Sequence, residues 1–199
     1  MRIQDAWTPI RPFFNAFNER RMEVIEPGRV IVVNECMSEW QGKNGKYHAE
    51  GMPQVTKIIR KPKGVGCELK SACDGEPNIL LRLEIQEGAE EMKLKMFSEH
   101  RPADQRTGED IHPLFPVTLR LVEPWLKSWR LVVGDSAFAS VGTCLALLQH
   151  GMHFIGTVIT ATRKFPAAYF KFWAENNHNT TRNHIYRLVL CISPWIQSI

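Results

Sequence analysis

The stretch Trp129–Val158 does most to limit what this chain can fold into. Leu131–Val133 is a short, Val-rich apolar run of the kind a buried strand needs. Asp135 follows at the strand's carboxyl end. Ser140 is a suitable N-cap, because its hydroxyl can accept a bond from an amide in the first helical turn. Val141, Cys144, Leu145 and Leu148 then recur at helical spacing and predict one apolar stripe. Gly151 supplies a helix stop, and Met152–Thr160 is a second β run. Strand, helix and strand in so short a span imply a parallel pair joined by a crossover helix. In open α/β sheets ligands bind beyond the carboxyl ends of strands, which is where Asp135 sits. Pattern alone leaves Asp135 open between that role and a solvated turn residue.

The upstream chain adds strands of a different kind. Arg29–Val33 is a Val/Ile run followed by Asn34 and Glu35. Val65–Ala72 and Asn78–Gln86 read as two strands joined through Asp74-Gly75, a strong turn signal, and predict an antiparallel hairpin. Asp74 is thereby a turn residue. After Pro12 a short helix is predicted, with Phe13, Phe14 and Phe17 on one face. Arg20 and Arg21 continue that side, with their stems on apolar surface or at a frayed helix end. Val117–Lys127 resumes helical periodicity, and Pro124 should kink or shorten that helix. Ser98–Pro113 reads as a polar loop, in which His100 and His112 have no partner pattern.

At 199 residues the length suggests one domain, and the 44% apolar and 23% charged composition is that of a globular chain. A net charge of +4 and a pI near 8.9 are compatible with nucleic acid without requiring it. The five cysteines are odd in number and widely spaced, so neither a disulfide framework nor a zinc site is supported. No apolar run reaches membrane length and no leader pattern opens the chain, so an intracellular protein is expected. No small-molecule substrate is indicated. Lys57, Arg60, Lys61 and Lys63 form a basic cluster that could neutralise phosphates or protect a sheet edge, and the sequence leaves both readings open.

Several motifs together carry a resemblance. These are G-D-S-A-F-A-S-V from Gly134, L-L-Q-H-G ending at Gly151, H-F-I-G-T-V from His153, and Arg163–Pro166. With F-N-E-R-R-M-E-V-I-E-P-G from Phe17 and V-T-L-R-L-V-E-P-W-L from Val117, they resemble the piggyBac-type transposase domain of transposable-element-derived proteins. The resemblance covers about Met1–Tyr169. It implies an RNase H-like α/β fold: a mixed sheet with an antiparallel meander followed by a parallel β-α-β. It also implies three carboxylates that hold divalent metal, Mg²⁺ in the intact family, for DNA strand transfer. Asp135 matches the second of these. Asn34 stands where the family has the first aspartate.

That substitution matters because a carboxylate brings charge to a hard cation, whereas an amide offers only a neutral carbonyl dipole. Glu35 is no obvious replacement, since successive strand side chains point to opposite faces. No counterpart of the third aspartate is seen, so the domain is expected to be partial over residues 1–170 and incomplete at its C-terminus, with 171–199 a divergent tail. The expected catalytic remnants are Asp135 and Asn34, with Asp135 as the metal ligand and no cofactor retained. The expectation is a transposase-fold pseudoenzyme without strand-transfer activity, in the nucleus. The alternatives are a DNA- or chromatin-binding module, using Lys57, Arg60, Lys61 and Lys63, and a transposase fragment completed in trans by a second copy.

Overall fold

Aliphatic and β-branched side chains crowd Val30–Val33, Leu131–Val133 and Phe154–Val158, and these runs form the middle of one sheet. The computed structural model describes residues 5–39, 41, 54–59, 64–97, 114–158, 168 and 188–189. In chain order its elements are α1 Arg11–Val24, β1 Val30–Glu39, β2 Thr56–Lys57, β3 Val65–Asp74, β4 Leu80–Ile85, α2 Ala89–Lys93, α3 Phe115–Val122, β5 Leu131–Gly134, α4 Val141–Gln149, β6 His153–Val158 and β7 Leu188–Val189. The strand order is β2-β3-β1-β5-β6-β7, with β4 also paired to β3. β1, β3 and β4 form an antiparallel meander; β1, β5 and β6 are parallel; β7 returns antiparallel to β6. This is the mixed α/β sheet that the sequence predicted.

Strand alternation sorts the sheet's side chains. Ile31, Val33, Ala72, Val132 and Phe154 turn to one side and pack with Phe115, Leu119, Val122 and Leu147 in the main core. Cys67 and Ile85 meet Trp7 in a smaller cluster, joined by Phe14 and Leu69. α1 is fastened to β4 by one amide side chain. Asn18 Nδ2 donates to the Leu83 carbonyl at 2.9 Å, and the Leu83 amide donates to Asn18 Oδ1 at 2.9 Å. The asparagine thus occupies a peptide position beside β4, where unpaired edge groups would otherwise invite another strand. Across the same strand, Arg120 of α3 grips Glu84 bidentately, at 2.9 and 2.7 Å.

Several expectations change. β1 does not end at Val33. Its ladder with β3 continues, pairing Asn34 with Ser71 and Glu39 with Gly66, so the strand outlasts its parallel partner β5. The apolar stripe on α4 is also rotated. Leu145 is 44% exposed, while Thr143, Cys144, Ala146 and Leu147 are buried. Thr143 tolerates burial because its hydroxyl lies 3.0 Å from that of Ser140. On α1, Phe13 is exposed and meets only the edge of the Phe14 ring, with centroids 5.8 Å apart, while the helix continues past Arg20 and sets the Arg21 guanidinium 5.2 Å from the Phe17 ring centroid. At Pro124 the α-helix gives way to a 3-10 turn, Glu123–Trp125, as the proline predicts. Helix α2 was not anticipated. Among the described residues no helix is long and apolar enough to cross a membrane.

Candidate functional site

The parallel register of β1 and β5 runs from Val30 opposite Leu131 to Val33 opposite Gly134. One step further along each chain stand Asn34 and Asp135. Neighbouring strands lie about 4.8 Å apart, so these two residues sit side by side where β5 leaves the sheet. They continue the strand parity of Val32 and Val133, away from the main core. Asn34 is exposed and Asp135 half-buried.

Both side chains also have local work. Asn34 Oδ1 accepts the Glu35 amide at 2.8 Å. Asp135 Oδ1 accepts the Ala137 amide at 2.8 Å, and the Asp135 carbonyl accepts the Phe138 amide at 3.1 Å. Asp135 therefore shapes an Asx turn while standing at the strand end. The chain then folds back onto the sheet at two partnered glycines, Gly134 and Gly156. A Cβ on Gly156 would lie 2.7 Å from Ala139 Cβ, and one on Gly134 would lie 3.0 Å from Phe138 Cβ. Only glycines admit this loop so close to the strands. Ser140 ends it as predicted, its Oγ accepting the Thr143 amide at 3.0 Å to start α4.

Glu35 does not join the pair. It is buried on the opposite side of β1, where Lys70 Nζ lies 3.3 Å from its Oε2. Lys70 also contacts Glu68, so the carboxylate next to Asn34 is committed to an internal ion cluster. Asp74 lies toward the other end of β1, opposite Ile31. It is a turn residue with a second task, accepting the Glu76 amide at 3.1 Å and the Gly28 amide at 2.8 Å. Lys57 is exposed on β2, which β3 separates from β1, so it stands apart from Asn34 and Asp135. Arg60, Lys61 and Lys63 lie outside the described residues, as do His100 and His112.

Among the described residues no group of three or more His, Cys, Asp or Glu is placed to hold a metal ion. Asn34 and Asp135 supply one anionic and one neutral oxygen donor set, which does not fit a pair of divalent ions. Burial pushes the Cys67 thiol up to about 11 and raises Cys73 as well, so neither is an activated nucleophile near neutral pH.

Sequence reasoning missed Lys70 and the glycine pair. Glu68 and Lys70 alternate along β3 like a solvated face, and only the register against β1 shows that they are buried. Gly134 and Gly156 gain their meaning from being paired across two strands.

A family model described as Transposase IS4 matches residues 2–191. The cryo-EM structure of the piggyBac transposase synaptic complex with hairpin DNA is similar to this chain, with 19% identity and a TM-score of 0.63. The match covers 90% of this chain and 31% of that one, so the chain spans about a third of that protein's length. At this identity the likeness shows the fold. No curated protein matches the chain.

Proposed function

The chain belongs to the Transposase IS4 family as a piggyBac-like transposase domain, and from that premise we propose that by itself it does not cut or join DNA. The observation that carries this reading is Asn34 beside Asp135 in the β1–β5 register. Displacement at phosphorus in such domains needs metal ions that stabilise both the attacking and the leaving oxygens. Here the first position offers an amide, and the neighbouring Glu35 is held on the far face by Lys70. What the remaining residues do is structural: Asp135 orders its turn, and Asn34 caps the amide of Glu35.

The test is an end-labelled DNA hairpin incubated with the purified chain and Mg²⁺ or Mn²⁺. No strand cleavage is expected. Cleavage that disappears in Asp135→Ala overturns the proposal, and cleavage that rises steeply with chain concentration would identify completion in trans by a second copy.

A second reading, a nuclear DNA- or chromatin-binding module, is favoured by the exposed Lys57 on the outer strand β2 and by the net charge of +4. The solved structure with this fold holds hairpin DNA, which makes DNA the polyanion to try first. The two readings are compatible, since binding through phosphate contacts needs no intact catalytic site.

A further inference from the structure

Lys70 sits in mid-strand on β3 and is 3% exposed. Its ammonium bonds to Glu35 Oε2 at 3.3 Å and to Glu68 Oε1, both on buried side chains. The same ammonium lies 5.5 Å from the centroid of the Phe138 ring. A buried ion cluster is a poor source of stability, because desolvation offsets the attraction between its charges. Its better use is to fix one arrangement of the segments that carry it.

The segments joined here are the two that carry the candidate site. Glu35 follows Asn34, and its amide donates to the Asn34 side chain. Phe138 belongs to the loop after Asp135, and its amide donates to the Asp135 carbonyl. β3 does not pair with β5, because β1 lies between them. Lys70 nevertheless reaches the loop that follows β5, passing beneath β1. The two glutamates hold the cation in place through charge-assisted bonds, and the cation attracts the ring face of Phe138. Phe138 is fully buried, so that attraction acts out of water.

We propose that Lys70 is a positioning residue: it clamps the Asp135 loop from the underside of the sheet, so that Asp135 stays on the face and at the level of Asn34. Its importance for function rests on Asp135 being the surviving carboxylate of the site; the clamp itself is a property of the fold. A lysine that merely neutralised two buried carboxylates would show no preference for that loop.

Amide hydrogen exchange on the full chain tests this without any activity assay. The variant is Lys70→Met combined with Glu35→Gln and Glu68→Gln, which removes the three charges of the cluster together. The expected result is selective. Amides of Ala137 and Phe138 exchange at least about tenfold faster, while those of Val132 and Leu147 keep their protection. Phe138→Leu, which keeps an apolar side chain but removes the ring face, should produce the same local loss if the triple variant fails to fold. Equal acceleration at all four amides, or none at Ala137 and Phe138, overturns the clamp. The proposed lack of cleavage is read in a separate assay, so either idea can fail without the other.

Discussion

An amide in place of a carboxylate changes charge almost without changing shape. Asn34→Asp should therefore fold as the parent does and place a second anion beside Asp135. One unit charge at about 4 Å from a cation interacts by about 4 kcal/mol at an effective dielectric of 20 and by about 1 kcal/mol in bulk water, and the exposed position of Asn34 sets the gain between the two. Mn²⁺ affinity measured by calorimetry should rise by at least about tenfold, without the appearance of cleavage. Unchanged affinity would mean that the two side chains do not share a face. A second residue-scale effect lies far from the site. The Arg11 guanidinium beside Asp5 holds that carboxyl down to about 2. The folded value lies below the unfolded one of about 3.9, so the contribution is present above pH 4 and lost as pH falls toward 2. Asp5 is partly exposed, so the effect is modest. Melting temperatures of the parent and Asp5→Asn should differ at pH 6 and converge near pH 2. A difference that persists unchanged at pH 2 would assign it to something other than the Arg11 pair.

At the scale of elements, the weak point of the site is the loop between β5 and α4. Gly156→Ala would set a methyl 2.7 Å from Ala139 Cβ and from the Phe154 ring. Forced overpacking of this kind costs about 1–3 kcal/mol, and denaturant unfolding should show it as a lowered midpoint. A neutral Gly156→Ala would mean that the loop does not rest on β6. The same loop shows where the sequence could and could not be read. Local chemistry was legible: the β-α-β, the Ser140 cap, the Gly151 stop and the break at Pro124 each depend on a few consecutive residues. The adjacency of Asn34 and Asp135 was legible because each comes directly after a short apolar run. Cross-strand facts were not. The extension of β1 to Glu39 is imposed by β3, the burial of Lys70 by its register opposite Glu35, and the turn of α4 by which side chains the sheet accepts. Periodicity offers two rotations for a helix as apolar as α4, and packing chooses between them.

For the whole molecule, the net charge of +4 over 199 residues sets what DNA binding can look like. Such a chain has no strong general field, so any affinity must come from a local concentration of cations. Lys57, Arg60, Lys61 and Lys63 are the densest in the sequence, and Lys57 is exposed at the outer strand of the sheet, away from Asn34 and Asp135. The two readings of that cluster separate in a salt titration. Each phosphate neutralised on duplex DNA contributes about −0.9 to the slope of log K against log salt, so four cations can give at most about −3.6. Fluorescence anisotropy with a random-sequence duplex should therefore show weak binding at low salt with a slope between about −2 and −3.6, independent of divalent metal. Replacing Lys57, Arg60, Lys61 and Lys63 by serine should abolish it, whereas Asp135→Ala should leave it unchanged, because Lys57 lies on β2 and Asp135 follows β5, with β3 and β1 between those strands. Binding that survives the four replacements moves the interface elsewhere. No binding at low salt leaves edge protection as the role of Lys57, since a cation on an outer strand also keeps a second sheet from adding to it.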